Sequence, residues 1–136
     1  MTSQLTARLL VASGLTLVGV ALLAYTAWAR HGGSPAARRW MGNEFGSFTR
    51  DERMTVLGAP MLGVLCLCAA AIVLPEVGRY LAWLAVPLGL GAFVTLLWAM
   101  MTFLPLPGAF YPRWARPLRD RNRRTEQSIH AGLRRR

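Results

Sequence analysis

Apolar and polar residues are separated into blocks along this chain of 136 residues. Three blocks contain no charged residue, and they cover approximately residues 9–29, 54–74 and 80–104. About 20 residues of α-helix cross the roughly 30 Å hydrocarbon core of a bilayer, and each block is at least that long. The pattern therefore predicts an all-α integral membrane protein in which three transmembrane helices form an antiparallel bundle.

Small side chains recur on one face of the second and third blocks, in steps of four and three residues. A small face lets two helix backbones approach closely inside a membrane, where van der Waals packing drives association. We therefore expect these residues to pack the second helix against the third, in a hairpin closed by a turn at residues 75–79. Because alanine and glycine are frequent in this chain, the alternative is that the stripes reflect composition alone. The predicted helix-packing residues are Ala59, Gly63, Cys66, Ala70, Ala82, Ala85, Gly89, Ala92 and Ala99.

The first apolar block admits two interpretations. Arg8, the apolar run and the small residues Ala27 and Ala29 resemble the parts of a secretory signal peptide. The run is longer than the usual length of about 7 to 15 residues, and cleavage would leave all later arginine-rich segments outside the cell. An uncleaved first span is therefore the favoured interpretation. Its own stripe of small and hydroxyl side chains consists of Ala12, Thr16, Gly19 and Thr26.

The segment between the first two blocks is polar and of mixed charge. Ser34 followed by Pro35 is typical of a helix start, with serine as the cap and proline in the first turn. The aromatic and arginine residues that follow suit a helix lying in the headgroup region, at residues 35–48. Glycines in the same stretch favour an irregular loop equally, so both alternatives stay open.

The second span has a clearer start. Thr49 and Glu52 have the spacing of a capping box, and Asp51 lies in the first turn, where the helix dipole favours negative charge. A carboxylate site built from Glu44, Asp51 and Glu52 is the functional alternative. Capping and the adjacent arginines explain these residues better.

The charged residues form blocks of their own. Hydrophobic residues make up 54% of the chain, yet its formal net charge is +10. All 16 basic residues are arginine, which is typical of GC-rich genomes and favours a bacterial protein. A surface for non-specific phosphate contact more usually contains lysine as well.

The arginines are distributed unequally between the two sides of a three-span protein. Five lie within residues 30–53 and nine within residues 113–136, and three spans place both segments on the same side. The opposite side receives only Arg8 and Arg79. The positive-inside rule then predicts a plasma-membrane protein with its N-terminus outside and its C-terminus in the cytoplasm. We expect a membrane domain at residues 1–112 and a disordered, arginine-rich cytoplasmic tail after it.

The sequence offers little chemistry. Cys66 and Cys68 point about 200° apart on a helix, so they neither bond to each other nor chelate one ion there. His31 and His130 lack neighbours at metal-ligand spacing. No ionisable residue lies within the three blocks, which disfavours ion-coupled transport and catalysis. We therefore predict no enzyme activity, no cofactor and no metal site.

The tail is the remaining candidate for an interaction. Each arginine near an anionic lipid surface contributes about 1 kcal/mol, so membrane lipid is the first expected partner. A membrane-protein partner or a second copy of the chain is the other expectation. Nucleic acid is disfavoured, because Trp114 is the only aromatic residue among the tail arginines. The predicted lipid- or partner-binding residues are Arg113, Arg116, Arg119, Arg121, Arg123, Arg124, Arg134, Arg135 and Arg136.

No motif is typical of a particular protein family. The sequence therefore predicts a small, non-catalytic integral membrane protein that serves as an accessory, assembly or interaction subunit of a larger complex. The alternative comes from architecture alone. In its size, three spans and charged cytoplasmic tail the chain resembles phage holins, which oligomerise into membrane lesions.

Overall fold

A computed structural model describes residues 2–41, 52–101, 104 and 106–135, and these ranges are helical, with turns between the helices and no strand. Three helices are long and apolar enough to cross a membrane, as the hydrophobic pattern predicts. The helices are α1 (Thr2–His31), a 3-10 helix (Ala36–Met41), a π-helical turn (Met54–Gly58) leading into α2 (Ala59–Val73), α3 (Gly78–Met100), a second 3-10 helix (Gly108–Phe110) and α4 (Arg116–Arg134).

Proline and glycine set the boundaries of α2 and α3. Pro60 lies in the first turn of α2, directly after the π-helical turn. Because proline lacks an N–H and its ring crowds the preceding turn, the backbone before it widens instead of continuing as a regular α-helix. Gly78 begins α3, and a Cβ there would lie 2.5 Å from the carbonyl oxygen of Ile72. This glycine allows the short turn between α2 and α3. In contrast, α3 continues through Pro87 without a break.

The second helix lies between the other two. It packs against both α1 and α3, whereas α1 and α3 hardly touch each other within the described residues. Leu5 and Arg8 line one groove together with Pro75, so the N-terminal end of α1 is close to the α2–α3 turn. The C-terminal ends of α1 and α3 and the start of α2 consequently meet at the opposite end.

The tightest helix contact is between two glycines. A Cβ at Gly19 would lie 2.9 Å from the carbonyl oxygen of Gly63, and a Cβ at Gly63 would lie 3.0 Å from that of Gly19. Gly63 thus faces α1, whereas the sequence pattern predicted that it would face the third helix. The reason is that α2 has neighbours on both sides. Its small residues are therefore shared between two interfaces.

The small stripes coincide with the buried faces of the outer helices. The buried residues repeat at intervals of seven, which is typical of helices that cross at a shallow left-handed angle. They are Ala12, Gly19 and Thr26 in α1 and Gly78, Ala85, Ala92 and Ala99 in α3.

The remaining predicted packing residues are less enclosed. Gly63 and Ala70 of α2 are buried, whereas Ala59, Cys66, Ala82 and Gly89 are half-buried. A Cβ at Gly89 would make an ordinary contact, 3.5 Å from the Cβ of Cys68. Gly89 therefore has space for an alanine, which Gly63 does not.

Hydroxyl groups within the spans bond to their own helix. Thr16 and Thr26 of α1 donate to the carbonyl oxygens four residues earlier, at 2.8 and 2.9 Å. Thr95 of α3 does the same to Gly91, at 2.7 Å. These bonds satisfy the hydroxyl groups without a partner helix, which allows polar residues within a membrane span. Cys66 and Cys68 are both free thiols.

Candidate interaction site at the arginine-rich end

A compact cluster closes the end at which α1 and α3 finish and α2 begins. We call this cluster the cap. Its buried members come from five separate parts of the chain, so it joins the 3-10 helix after α1, the start of the second span and the end of α3 to the segment before α4. The buried residues are Met41, Val56, Leu57, Ala99, Leu106, Tyr111 and Ala115, and the half-buried residues around them are Trp40, Met61, Trp98, Phe110, Trp114 and Leu118.

The segment after α1 folds back onto the cap. The Ser34 hydroxyl accepts a hydrogen bond from the Ala37 N–H at 3.3 Å, so serine caps a helix start as predicted. The indole of Trp40 donates to the carbonyl oxygen of Ala29 at 3.2 Å. Of the interfacial helix predicted at residues 35–48, only the part up to Met41 lies within the described residues, and it is a 3-10 helix. The predicted capping box lies outside them at Thr49, as do Glu44 and Asp51.

The indole of Trp114 is held in place by four neighbouring residues. Its Nε1 donates to the carbonyl oxygen of Arg30 at 2.8 Å, which satisfies an unpaired carbonyl in the last turn of α1. The Trp40 ring meets its edge at a centroid distance of 5.5 Å, and the Arg38 guanidinium carbon lies 5.4 Å from its centroid. A Cβ at Gly32 would lie 2.5 Å from the same indole. Gly32 also has φ +62°, a conformation that glycine adopts without strain at a helix C-terminus.

Five arginines bind backbone carbonyl oxygens around the cap. Arg30 and Arg53 join parts of the chain that are distant in sequence, whereas the other three bind carbonyl groups 5 to 13 residues away. The pairs are Arg30 to Phe110 at 2.5 Å, Arg38 to Gly32 at 2.6 Å, Arg53 to Met101, Arg116 to Tyr111 at 3.3 Å and Arg119 to Leu106 at 2.5 Å. Arg53 is itself buried.

The predicted tail is helical instead of disordered. Pro117 lies in the first turn of α4, where its missing N–H is not needed. The Arg119 guanidinium carbon lies 4.2 Å from the centroid of the buried Tyr111 ring. The side-chain amide of Asn122 donates to the carbonyl oxygen of Met41 at 3.1 Å and to Oε1 of Glu52 at 3.3 Å. These contacts fix the first two turns of α4, which composition alone did not predict.

Two titratable groups are buried beneath α4. Burial raises the pKa of the Glu52 carboxyl above its usual value; the hydrogen bond from Asn122 and the charge of Arg119 act against this shift, and Glu126 adds to it. Burial likewise raises the pKa of the Tyr111 hydroxyl, against the opposing charge of Arg119. Glu52 therefore serves as a hydrogen-bond acceptor for the basic helix.

The predicted binding arginines fall into two classes. Arg116 and Arg119 are engaged with carbonyl groups, so they hold α4 in place, although Arg116 is also exposed. The others within the described residues have exposed side chains, and Arg136 lies outside those residues. The exposed arginines are Arg113, Arg121, Arg123, Arg124, Arg134 and Arg135.

Sequence reasoning missed the residues that build the cap. The sequence pattern assigned neither Gly32 nor Asn122 to the site. The signal for Gly32 was present, because a glycine directly after an apolar helix is a common C-terminal cap. The partners of Trp114 and Asn122 lie 70 to 84 residues away in sequence, where no local pattern reveals them. Within the described ranges no group of three or more His, Cys, Asp or Glu residues is arranged to hold a metal ion.

Comparison with known proteins gives no family assignment. No protein-family model, no curated protein sequence and no solved structure matches the chain. The function is therefore argued from the cap and from the surfaces of the helices.

Proposed function

We propose that this chain is a non-catalytic integral protein of the plasma membrane, which acts as an accessory or assembly subunit. Its cap and basic helix face the cytoplasm in this proposal. The exposed arginines of α4 bind anionic lipid or a cytoplasmic segment of a partner, and the outer faces of the spans bind lipid or the spans of that partner.

One observation carries the proposal: the described arginine-bearing residues 30–41 and 52–53 are joined to the segment that carries α4, at a single end of the three helices. The hydrogen bonds from Trp114 to Arg30 and from Asn122 to Met41 connect them. The positive-inside rule acts on a charged tail whether or not the tail is attached to the spans. A fixed basic helix presents its charges in a defined arrangement, which favours recognition of a partner.

The outer helices leave large apolar surfaces open to the membrane. On α3 the side chains of Trp83 and Tyr80 are 87% and 79% exposed, and Leu90 is 64% exposed. Tyr80 and Trp83 lie near one end of α3, and Trp98 lies near the other. Aromatic side chains at both ends of a span are typical of the two membrane–water boundaries.

The orientation is tested with reporter fusions to the full chain. Fusions after Arg53 and after Arg136 should report the cytoplasm, and a reporter inserted at Val77 should report the exterior, because the arginines oppose translocation. Alkaline phosphatase and green fluorescent protein provide complementary signals. An external signal from the C-terminal fusion would overturn the orientation and would favour cleavage after Ala29.

The partner is tested by purification in mild detergent followed by mass spectrometry. Three tagged full-length forms are compared at native expression level: wild type, a form with the five exposed arginines of residues 121–135 changed to Gln, and a form in which residues 123–135 are permuted. All keep Arg116, Arg119 and Asn122, so the attachment of α4 is preserved. We expect a stoichiometric membrane partner with wild type and its loss from both variants, since a protein partner reads residue order as well as charge. The changed arginines are Arg121, Arg123, Arg124, Arg134 and Arg135.

The other outcomes are equally informative. If the permuted form keeps its partners and its phenotype, the role of α4 is confined to lipid, because screened electrostatic attraction depends on charge number and not on order. If only copies of the chain are recovered and induction lets a membrane-impermeant dye into cells, the holin-like alternative replaces the proposal.

A further inference from the structure

Two large apolar side chains are exposed near the end of α4. Ile129 is 56% exposed and Leu133 is 67% exposed. At 100° per residue they share a 60° arc of the helix with Leu118 and Asn122. Leu118 packs against the cap, and Asn122 donates hydrogen bonds to Met41 and Glu52. The face that attaches the start of α4 thus continues, apolar and uncovered, along its second half.

The direction of this face follows from what its first half contacts. The cap contains residues at the start of the second span and near the end of α3, so the side of α4 that carries Leu118 and Asn122 points towards the membrane. A straight helix keeps that direction for Ile129 and Leu133. Leu133 lies about 16 Å along the helix from Asn122, which exceeds the separation of roughly 8–10 Å between packed helices. Ile129 and Leu133 are also exposed, so no described part of the chain covers this end of α4.

We infer that the second half of α4 lies in the headgroup region of an anionic bilayer, with Ile129 and Leu133 inserted among the acyl chains. Arg121 lies about 60° beyond one edge of the apolar arc and Arg123 lies about 80° beyond the other, both with exposed side chains. Long arginine side chains beside an apolar stripe reach the phosphates while the stripe enters the acyl boundary, as in interfacial amphipathic helices. The charge of the flanks selects an anionic lipid surface over an uncharged one.

This inference rests on the proposed function, since it assumes that the three spans lie in a bilayer. It adds that the second half of α4 enters the bilayer, which a tail held by electrostatic attraction alone does not do. An electrostatic tail stays in the aqueous layer, and its faces are equivalent. An inserted helix exposes one face to lipid and the other to water. The two faces of α4 therefore distinguish the possibilities.

Site-directed spin labelling of the full-length protein in nanodiscs of anionic phospholipid measures this difference. Single cysteines replace Ile129 or Leu133 on the apolar arc and Gln127 or Ala131 on the opposite face, in a Cys66→Ala, Cys68→Ala background. All four positions are exposed in the protein alone, so Gln127 and Ala131 are matched controls. Labels at 129 and 133 should show a severalfold higher ratio of oxygen to nickel-chelate accessibility than labels at 127 and 131.

Two results would overturn the inference. Equal access of the nickel chelate to all four labels would place α4 in water, and dipolar broadening at 129 or 133 in singly labelled protein would show that a second copy covers the face. In either case the partner purification decides separately whether the proposed function stands. If the partner still co-purifies although α4 is not inserted in the bilayer, this inference is wrong and the proposed function stands.

Discussion

Replacing Gly63 with leucine should separate α1 from α2. A Cβ at this position would lie 3.0 Å from the carbonyl oxygen of Gly19 and 3.1 Å from Cγ of Leu23, and the rest of a leucine side chain has no space. Overpacking of this kind costs roughly 1–3 kcal/mol, and here the crowded atoms include backbone, which gives way less easily than a side chain. The expected result is a clear fall in the thermal midpoint of the detergent-solubilised protein and in its abundance in membranes.

The chain contains matched controls for this change. A Cβ at Gly91 of α3 or at Gly14 of α1 meets no atom within 4 Å, so leucine at either position projects into lipid. Because glycine within a helix is about 1 kcal/mol less favourable than alanine, these two variants should be as stable as wild type or slightly more stable. Gly89→Ala should also be tolerated, and so should Leu90→Ala on the exposed side. Equal loss of stability at Gly63 and Gly91 would show that the approach of α1 to α2 does not limit stability.

Replacing Gly32 with alanine should loosen the cap. The left-handed conformation at this position costs a residue with a Cβ about 1–2 kcal/mol. The new methyl group would also displace the Trp114 indole, so the hydrogen bond from Trp114 to the Arg30 carbonyl oxygen would be lost, at a further cost of about 1 kcal/mol. We expect a lower thermal midpoint and faster trypsin cleavage after Arg113.

Gly33→Ala is the control for this second change. Its Cβ would meet only the side chain of His31, at 3.2 Å, and the exposed histidine can move away. Gly33 lies directly after Gly32, and both variants exchange glycine for alanine. Equal midpoints and equal cleavage rates for the two alanine variants would mean that Trp114 does not depend on the space at Gly32.

The spans were predictable because each depends on local composition. A run of about 20 apolar residues has to be helical in lipid, whatever its neighbours are, so the three helices follow directly from the pattern. The second span, counted with its π-helical turn as Met54–Val73, differs from the prediction by a single residue, since proline and glycine act on the turns next to them. The small residues that pack α3 were also visible, because alanine at intervals of seven lies on one face.

The partners of the spans were not predictable in the same way. Gly63 is small enough to pack against either α1 or α3, and the sequence around it does not indicate which of the two helices it contacts. The helix at Arg116–Arg134 was missed for a related reason. Its charge density is typical of disorder, and it is held by Asn122, Arg119 and Leu118 on a surface that exists only after the spans have assembled. The candidate site therefore depends on contacts between distant segments, which residue patterns do not encode.

The attachment of Trp114 to the end of α1 also sets an order of events during synthesis. The carbonyl oxygen of Arg30 receives its donor from a residue made 84 positions later. At about 5–20 residues per second, the ribosome takes roughly 4–17 s to cover that distance. Throughout this interval the carbonyl oxygen of Arg30 lacks this donor, whereas the neighbouring Ala29 carbonyl already has a donor in the nearby Trp40 indole. The end of the first span is therefore completed only after the last span has been made.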